Sequence, residues 1–162
     1  HDLDNLRHYA MTLTNLGILK KNNLDFDQAK SCYIKALKIR RWLVQKNPAY
    51  LEDLAFTLLN LGNVLSLLGD SETESFLVEA VKVRRGLKSQ FPERYSDQLS
   101  DSLHNLALFY ARTGRIRLAI QSMTEACEVL EPIKHRTPQL LKNYNESVDE
   151  LSKFKQEPSD EF

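Results

Sequence analysis

The sequence has few of the residues on which most active sites and disulfide frameworks depend. Its two cysteines, Cys32 and Cys127, are spaced for neither a metal-binding motif nor a set of disulfides. Its five glycines are scattered singly, so no glycine-rich phosphate loop is present. The histidines have no partner four residues away on a helix, as a zinc helix would require. We therefore expect no cofactor, no metal site and no enzymatic activity.

The charge balance and the hydropathy exclude two further classes of partner. Basic and acidic residues number 22 each, and this zero net charge gives no general attraction to nucleic acid or to an anionic membrane. No uninterrupted apolar run reaches the roughly 18 residues of a membrane-spanning helix, and no signal peptide opens the chain. Each cysteine falls within a predicted helix, where a free buried thiol is usual, and this favours a cytoplasmic setting. Because the chain begins at His1 without a methionine, we expect a fragment of a larger protein.

The chain repeats itself about every 45 residues. The sequence LTNLG at residues 13–17 returns as LLNLG at 58–62 and as LHNLA at 103–107. An alanine and then a proline follow in phase in each unit: Ala36, Ala80 and Ala126, then Pro48, Pro92 and Pro138. Several independent markers that stay in phase indicate a repeat array. We expect three units, which cover about residues 5–47, 48–91 and 92–137.

Each unit is predicted to form two helices joined by a short turn. In the second unit, leucines at three- and four-residue steps form an apolar helical stripe: Leu51, Leu54, Leu58, Leu61 and Leu65. Residues 69–71 break this helix, and Pro92 ends the next one because proline lacks an amide donor. A fourth proline-led segment, residues 138–155, predicts one helix that is either a cap or half of another unit. Residues 156–162 are predicted to be a disordered tail.

These residues resemble a tetratricopeptide-repeat array of the long-repeat type known from kinesin light chain and from bacterial arrays. The Leu-Gly pair of that family's first helix is matched by residues 16–17 and 61–62, and nearly matched by Leu106-Ala107. The resemblance implies an all-α, right-handed superhelical stack of antiparallel helix hairpins in a single domain over residues 1–155. It also implies a scaffold that binds a partner protein or peptide in its concave groove.

The resemblance further implies which residues line that groove. In the family, an asparagine on the groove face of the first helix holds the backbone of an extended peptide, and three stand at that position here: Asn15, Asn60 and Asn105. The geometry of the helix adds neighbours on the same face: Met11, Phe56, Leu59, Asn63, His104 and Arg112. Such a groove suits a peptide with apolar anchors better than an acidic tail. Hydrogen bonding between neighbouring helices of the stack is the alternative role for the asparagines.

Two further readings remain open at the level of sequence. The first concerns the basic helix ends, which form either a phosphate-binding strip or, as we prefer, a solvated outer face that complements the helix dipoles: Lys38, Arg40, Arg41, Lys82, Arg84 and Arg85. The second concerns function. The alternatives are a regulatory domain that contacts another domain of its own chain, and a self-association module that forms homo-oligomers through Trp42, Leu43 and Phe91.

Overall fold

The structure is a computed structural model that describes residues 2–156, in which short turns join helices. The described residues form seven α-helices: α1 (Asp2–Asn22), α2 (Phe26–Lys46), α3 (Leu51–Leu68), α4 (Thr73–Gln90), α5 (Pro92–Arg112), α6 (Ile116–Leu130) and α7 (Pro138–Gln156). A 3-10 turn, Pro48–Tyr50, leads into α3, and the described residues include no strand. The all-α prediction is therefore confirmed. Apart from Gln156, the last residue of α7, the predicted tail lies outside the described residues.

The helices belong to two compact units, His1–Val83 and Arg84–Phe162. In the first unit, α1 packs against α2, α2 packs against α3, and α1 also touches α3. In the second, α5 packs against α6, α6 packs against α7, and α5 also touches α7. Each unit therefore sets a first helix beside the first helix of the following repeat. A single domain over residues 1–155 stays a prediction.

Small residues mark the place where the two helices of a hairpin come closest. A Cβ added to Gly17 would stand 2.6 Å from Cε1 of Tyr33, and one added to Gly62 would stand 2.6 Å from Cδ2 of Leu77. Both distances are far below van der Waals contact, so a side chain at either glycine would displace the opposing side chain or force the hairpin apart. This contact explains why a glycine recurs in mid-helix, where it costs roughly 1 kcal/mol relative to alanine.

The α3 helix is long and apolar enough to cross a membrane by length and composition when the preceding 3-10 turn is included. Half of its most apolar window is buried inside the structure. The buried side chains include four leucines of the predicted stripe, and the helix packs against α1 and α2: Leu54, Leu58, Leu61 and Leu65. Burial of this kind is what a core helix shows, and the absence of a membrane partner stays a prediction.

The α7 helix turns a polar face to solvent. Among its residues only Ser147 and Phe154 are fully buried, and the exposed positions are mainly polar: Lys142, Asn145, Asp149, Ser152 and Lys153. A terminal helix of a repeat array needs such a face. The composition of α7 therefore favours the capping role over that of an ordinary repeat helix.

The turn inside each hairpin uses one residue in the left-handed conformation. Gly69 and Gly114 have φ values of 68° and 77°, and the residue at the same phase of the first repeat is Leu24, with a φ of 62°. The same backbone hydrogen bond closes all three turns, from Asp25 N, Asp70 N and Arg115 N to the carbonyl five residues earlier. Leucine thus adopts a conformation that costs an ordinary residue about 1–2 kcal/mol.

We predict that Leu24→Gly raises the free energy of unfolding by about 1 kcal/mol, because glycine adopts this φ without steric strain. Leu24 is largely exposed, so its side chain gives up little packing. Urea unfolding followed by circular dichroism measures the change. Gly69→Ala is the converse control: its Cβ would meet no atom within 4 Å, so an expected loss of about 1 kcal/mol is conformational alone. A destabilised Leu24→Gly variant would contradict this account.

The leucine of the repeat motif is more exposed in the first repeat than in the second and third repeats. Leu61 is 0% exposed and Leu106 is 6% exposed, whereas Leu16 is 41% exposed. We predict that Leu61→Ala and Leu106→Ala each lower the free energy of unfolding by about 2–5 kcal/mol, as is usual for truncation of a buried leucine. Leu16→Ala is the matched control and should cost less than about 1 kcal/mol. Equal losses at all three positions in chemical unfolding would refute the assigned register.

Candidate partner-binding surfaces

In the first unit, the predicted groove face carries two exposed apolar side chains. Met11 of α1 is 47% exposed and Phe56 of α3 is 41% exposed, and the two occupy the same phase of successive repeats. Asn15 is exposed one turn after Met11, and Asn60 is half-buried one turn after Phe56. Because α1 touches α3, the structure gives this face an apolar residue followed by an amide on each of two neighbouring helices.

The amides of two groove asparagines bond to their own helices. Nδ2 of Asn60 donates to the carbonyl of Phe56 at 2.9 Å, and Nδ2 of Asn105 donates to the carbonyl of Asp101 at 2.7 Å. These bonds run four residues back along the same helix and do not join two helices. They fix the amide plane, and among the described residues none donates to Oδ1 of Asn60. That oxygen remains able to accept a hydrogen bond from a ligand.

The other predicted groove residues are distributed between the surface and the core. Leu59 is only 5% exposed, so its assignment to the groove lining is wrong. Thr14, at the same phase of the first repeat, is also buried, so in α1 and α3 this phase belongs to the packed side of the helix. Asn63 and His104 are half-buried, and Arg112 is exposed near the end of α5.

His104 stands in a polar pocket of the second unit. This pocket, of about 190 Å³, lies between α5 and α7 and is lined by Asp97, Ser100, Asp101, His104, Asn143, Glu146 and Ser147. Nδ1 of His104 lies 3.2 Å from Oγ of Ser147, which ties the imidazole to α7. A carboxylate of a partner would meet three acidic side chains here. This pocket therefore disfavours a carboxylate, and the expectation that the groove does not take an acidic tail stays a prediction.

The basic helix ends link successive repeats, which the sequence did not reveal. Arg40 and Arg84 are 3% and 4% exposed, so the interpretation of these two residues as solvated outer-face cations is wrong. Nη1 of Arg40 donates to the carbonyl of Asp53 on α3. Nη1 of Arg84 donates to the carbonyl of Gln98 and to Oγ of Ser102, both on α5. Burial lowers the pKa of Arg40, and the nearby Asp53 partly offsets that effect.

The second arginine of each Arg-Arg pair stays at the surface and reaches a different helix. Arg41 pairs with Glu79 of α4 at 2.7 Å, and Arg85 pairs with Glu125 of α6 at 2.8 Å. Each pair of adjacent arginines thus contacts both helices of the following repeat. The first arginine of the pair donates to a backbone carbonyl of the first helix, and the second arginine pairs with a carboxylate of the second helix. A recurring Arg-Arg in phase with the repeat was the available signal for this role. These four arginines are therefore held by protein groups, and the absence of a phosphate-binding strip stays a prediction.

Of the residues proposed for self-association, one is buried in the core and two are exposed at the surface. Leu43 is 1% exposed, so it belongs to the core and its assignment to a dimer surface is wrong. Trp42 and Phe91 are exposed, and the Trp42 ring lies 5.4 Å from Nζ of Lys46. Homo-oligomer formation through these two aromatic residues stays a prediction.

Reactive groups are sparse in the described part of the chain. No three His, Cys, Asp or Glu side chains among residues 2–156 are placed to hold a metal ion. Cys32 and Cys127 are free and half-buried, and burial raises the pKa of the Cys127 thiol. Such a thiol is held in its protonated, less nucleophilic form. The predictions of no enzymatic activity, no metal and no cofactor remain predictions.

We predict that Arg40→Ala lowers the free energy of unfolding by about 2–3 kcal/mol, because it removes a buried charged donor and leaves a backbone carbonyl less satisfied. The adjacent Arg41→Ala is the matched control. It removes the same charge from an exposed ion pair, which is worth about 0–1 kcal/mol. Chemical denaturation of the two variants at one ionic strength separates these costs. Equal losses would mean that the hydrogen bond from Arg40 to the Asp53 carbonyl contributes no more to stability than a surface ion pair.

Comparison with known proteins supports the repeat assignment. The tetratricopeptide-repeat model matches residues 12–41 and residues 100–129. No curated protein matches the sequence. The N-terminal domain of stress-induced protein-1 (STI-1) from C. elegans is similar in structure, with 18% identity and a TM-score of 0.50, over 88% of this chain and 97% of that one. The Sgt2 TPR domain from Aspergillus fumigatus has 15% identity and a TM-score of 0.47, over 94% and 87% of the two chains.

The matched segments coincide with predicted helix hairpins. The first ends within α2, and the second extends from α5 through most of α6. In the middle repeat, which the family model does not match, Thr73 takes the buried position of the second-helix alanine. Repeats of this family are in general non-catalytic scaffolds for protein–protein interaction. Two segments of this chain are thus matched as tetratricopeptide repeats, and its helix hairpins share the fold of a solved domain.

Proposed function

We propose that this chain is a scaffold that binds a segment of a partner protein along the exposed face of α1 and α3. The observation that carries the proposal is the recurrence, on two helices in contact, of an exposed apolar side chain one turn before an asparagine. Met11 and Phe56 supply the apolar anchors, and Asn15 and Asn60 supply the amides. Exposed apolar residues that cluster on one face are typical of interaction sites.

The chemistry of the face favours recognition of a peptide backbone together with a few apolar side chains. An amide held in one orientation offers a fixed acceptor, which pairs with the N–H of any residue except proline. The apolar anchors would then select the side chains of the partner. Since Asn60 already donates to Phe56, its amide plane is set before a ligand arrives, which reduces the entropy lost on binding.

A protein partner fits the electrostatics better than nucleic acid does. The zero net charge provides no general attraction to phosphate, and Arg40, Arg41, Arg84 and Arg85 are already held by carbonyls and carboxylates. We also propose a cytoplasmic setting from the two free cysteines. A binding segment from elsewhere in the same protein, as in a regulatory domain, would use the same face.

We predict that Asn60→Ala weakens binding of the partner by up to about tenfold, because a net hydrogen bond is worth about 0.5–1.5 kcal/mol. Asn15→Ala combined with Asn60→Ala should weaken it further, and Phe56→Ser should remove an apolar anchor. To obtain the partner, a photoreactive residue at position 56 captures the bound protein, and the purified segment is then titrated calorimetrically. Asn145→Ala, which alters an exposed asparagine on α7, is the matched control.

Circular dichroism of the same variants distinguishes the two roles of asparagine. Binding comparable to that of the unaltered chain by all three groove variants would refute the proposed face. Loss of helical signal in Asn60→Ala would instead assign its amide to support of α3, through the bond to the Phe56 carbonyl. Asn105→Ala tests separately whether the second unit contributes to binding.

A further inference from the structure

The connection from each repeat into the next first helix contains one of the in-phase prolines. The residue directly before that proline differs among the three connections: it is Asn47 in the first, Phe91 in the second and Thr137 in the third. Of the five prolines in the chain, only Pro138 follows a residue with a hydroxyl group. The third connection therefore offers a side-chain hydroxyl at a position where the other two offer none.

The segment around Thr137 is open to solvent. It belongs to the longest connection between described helices, residues 131–137, which leads from α6 to α7. Residues 135–139, which include Thr137 and Pro138, are all exposed. Because the proline ring disfavours helical backbone at the residue before it, the hydroxyl group stands outside the regular helix. An exposed threonine followed by proline on an irregular segment is the substrate that proline-directed protein kinases require.

Thr137 also caps the helix that it precedes. Its Oγ1 accepts a hydrogen bond from the amide of Leu140 at 3.1 Å, and its carbonyl accepts one from the amide of Leu141. Helices α1 to α5 each carry an acidic residue in the first turn, whereas α7 carries none. The first turn of α7 therefore supplies no carboxylate to complement the positive end of its helix dipole, and an anion on Thr137 would do so.

A cation stands directly beside the hydroxyl group. Arg136 pairs with Glu93 at the start of α5, and the two side chains are 45% and 77% exposed. Exposed ion pairs of this kind contribute little to stability. A phosphate group carries more charge than a carboxylate and offers three acceptor oxygens. A phosphate on Thr137 would therefore compete with Glu93 for the guanidinium of Arg136.

We propose that Thr137 is phosphorylated by a proline-directed serine/threonine kinase and that the phosphate strengthens the cap of α7. Oγ1 forms a bond to the γ-phosphorus of ATP while the bond from that phosphorus to the β,γ-bridging oxygen breaks. The hydroxyl proton passes to a carboxylate of the kinase, and ADP leaves. Thr137 lies outside the face of α1 and α3 in the proposed function, so either proposal can fail without the other.

The first test incubates the 162-residue chain with ATP and a cyclin-dependent kinase, and mass spectrometry locates the phosphate. We expect phosphate on Thr137. Thr137→Ser should retain the modification, and Pro138→Ala should slow it about tenfold or more. Thr113→Ala, at an exposed threonine that no proline follows, is the matched control and should leave the rate unchanged. Absence of phosphate on Thr137, or an unchanged rate in Pro138→Ala, would overturn the proposal.

The second test compares the melting temperatures of the phosphorylated and unphosphorylated forms of the same chain. Phosphorylation should raise the melting temperature by about 2–4 °C, because an anion then complements the α7 dipole and pairs with Arg136. In the Arg136→Gln chain the rise should be smaller, since the helix dipole alone remains. Amide hydrogen exchange at Leu140 should also slow on phosphorylation. A melting temperature that stays the same or falls on phosphorylation of Thr137 would overturn the proposed cap.

Discussion

Attachment of each repeat to the next depends on a buried arginine whose guanidinium donates to a backbone carbonyl of the following first helix. Arg40 and Arg84 occupy equivalent places near the ends of α2 and α4, and each reaches the helix that begins the next repeat. A charge taken out of water is costly unless it is well bonded, so this contact tolerates little displacement. The third repeat has Leu130, a buried apolar residue, at the corresponding place, and α6 packs against α7.

The hydrogen bonds of these buried arginines determine which faces of the first helices remain accessible to a partner. Because α2 lies on one side of α3, the stripe that contains Leu61 is buried. The face of α3 that bears Phe56 and Asn60 stays accessible. The close approach at Gly62 fixes the partner helix on another side. The face proposed for recognition and the contacts that give stability therefore lie on different sides of the same helix. A substitution at Phe56 or Asn60 is accordingly expected to change binding more than folding.

The first and last described helices, α1 and α7, differ in the kind of side chain that they expose to solvent. The α7 helix turns polar residues to solvent, whereas α1 turns Tyr9, Leu16 and Leu19. Exposed leucines of the repeat motif are costly in water by roughly 1.5–3 kcal/mol each relative to burial. A surface of this kind is stabilised when another helix covers it.

Periodicity in the sequence was enough to predict seven helices, three hairpins and the buried phase of Leu61 and Leu106, because helix formation and apolar patterning are local. The face that carries Asn60 also followed from helical phase, and the proposal that Asn60 contacts a ligand came from the family resemblance. The burial of Leu59 and the hydrogen bonds of the buried arginines could not be predicted in this way, because burial depends on which other helices lie against a residue. The sequence by itself determined the repeat, its phase and its turns. Only the tertiary structure decided which copies of each motif are covered, since identical local patterns are buried or exposed according to the neighbour that packs on them.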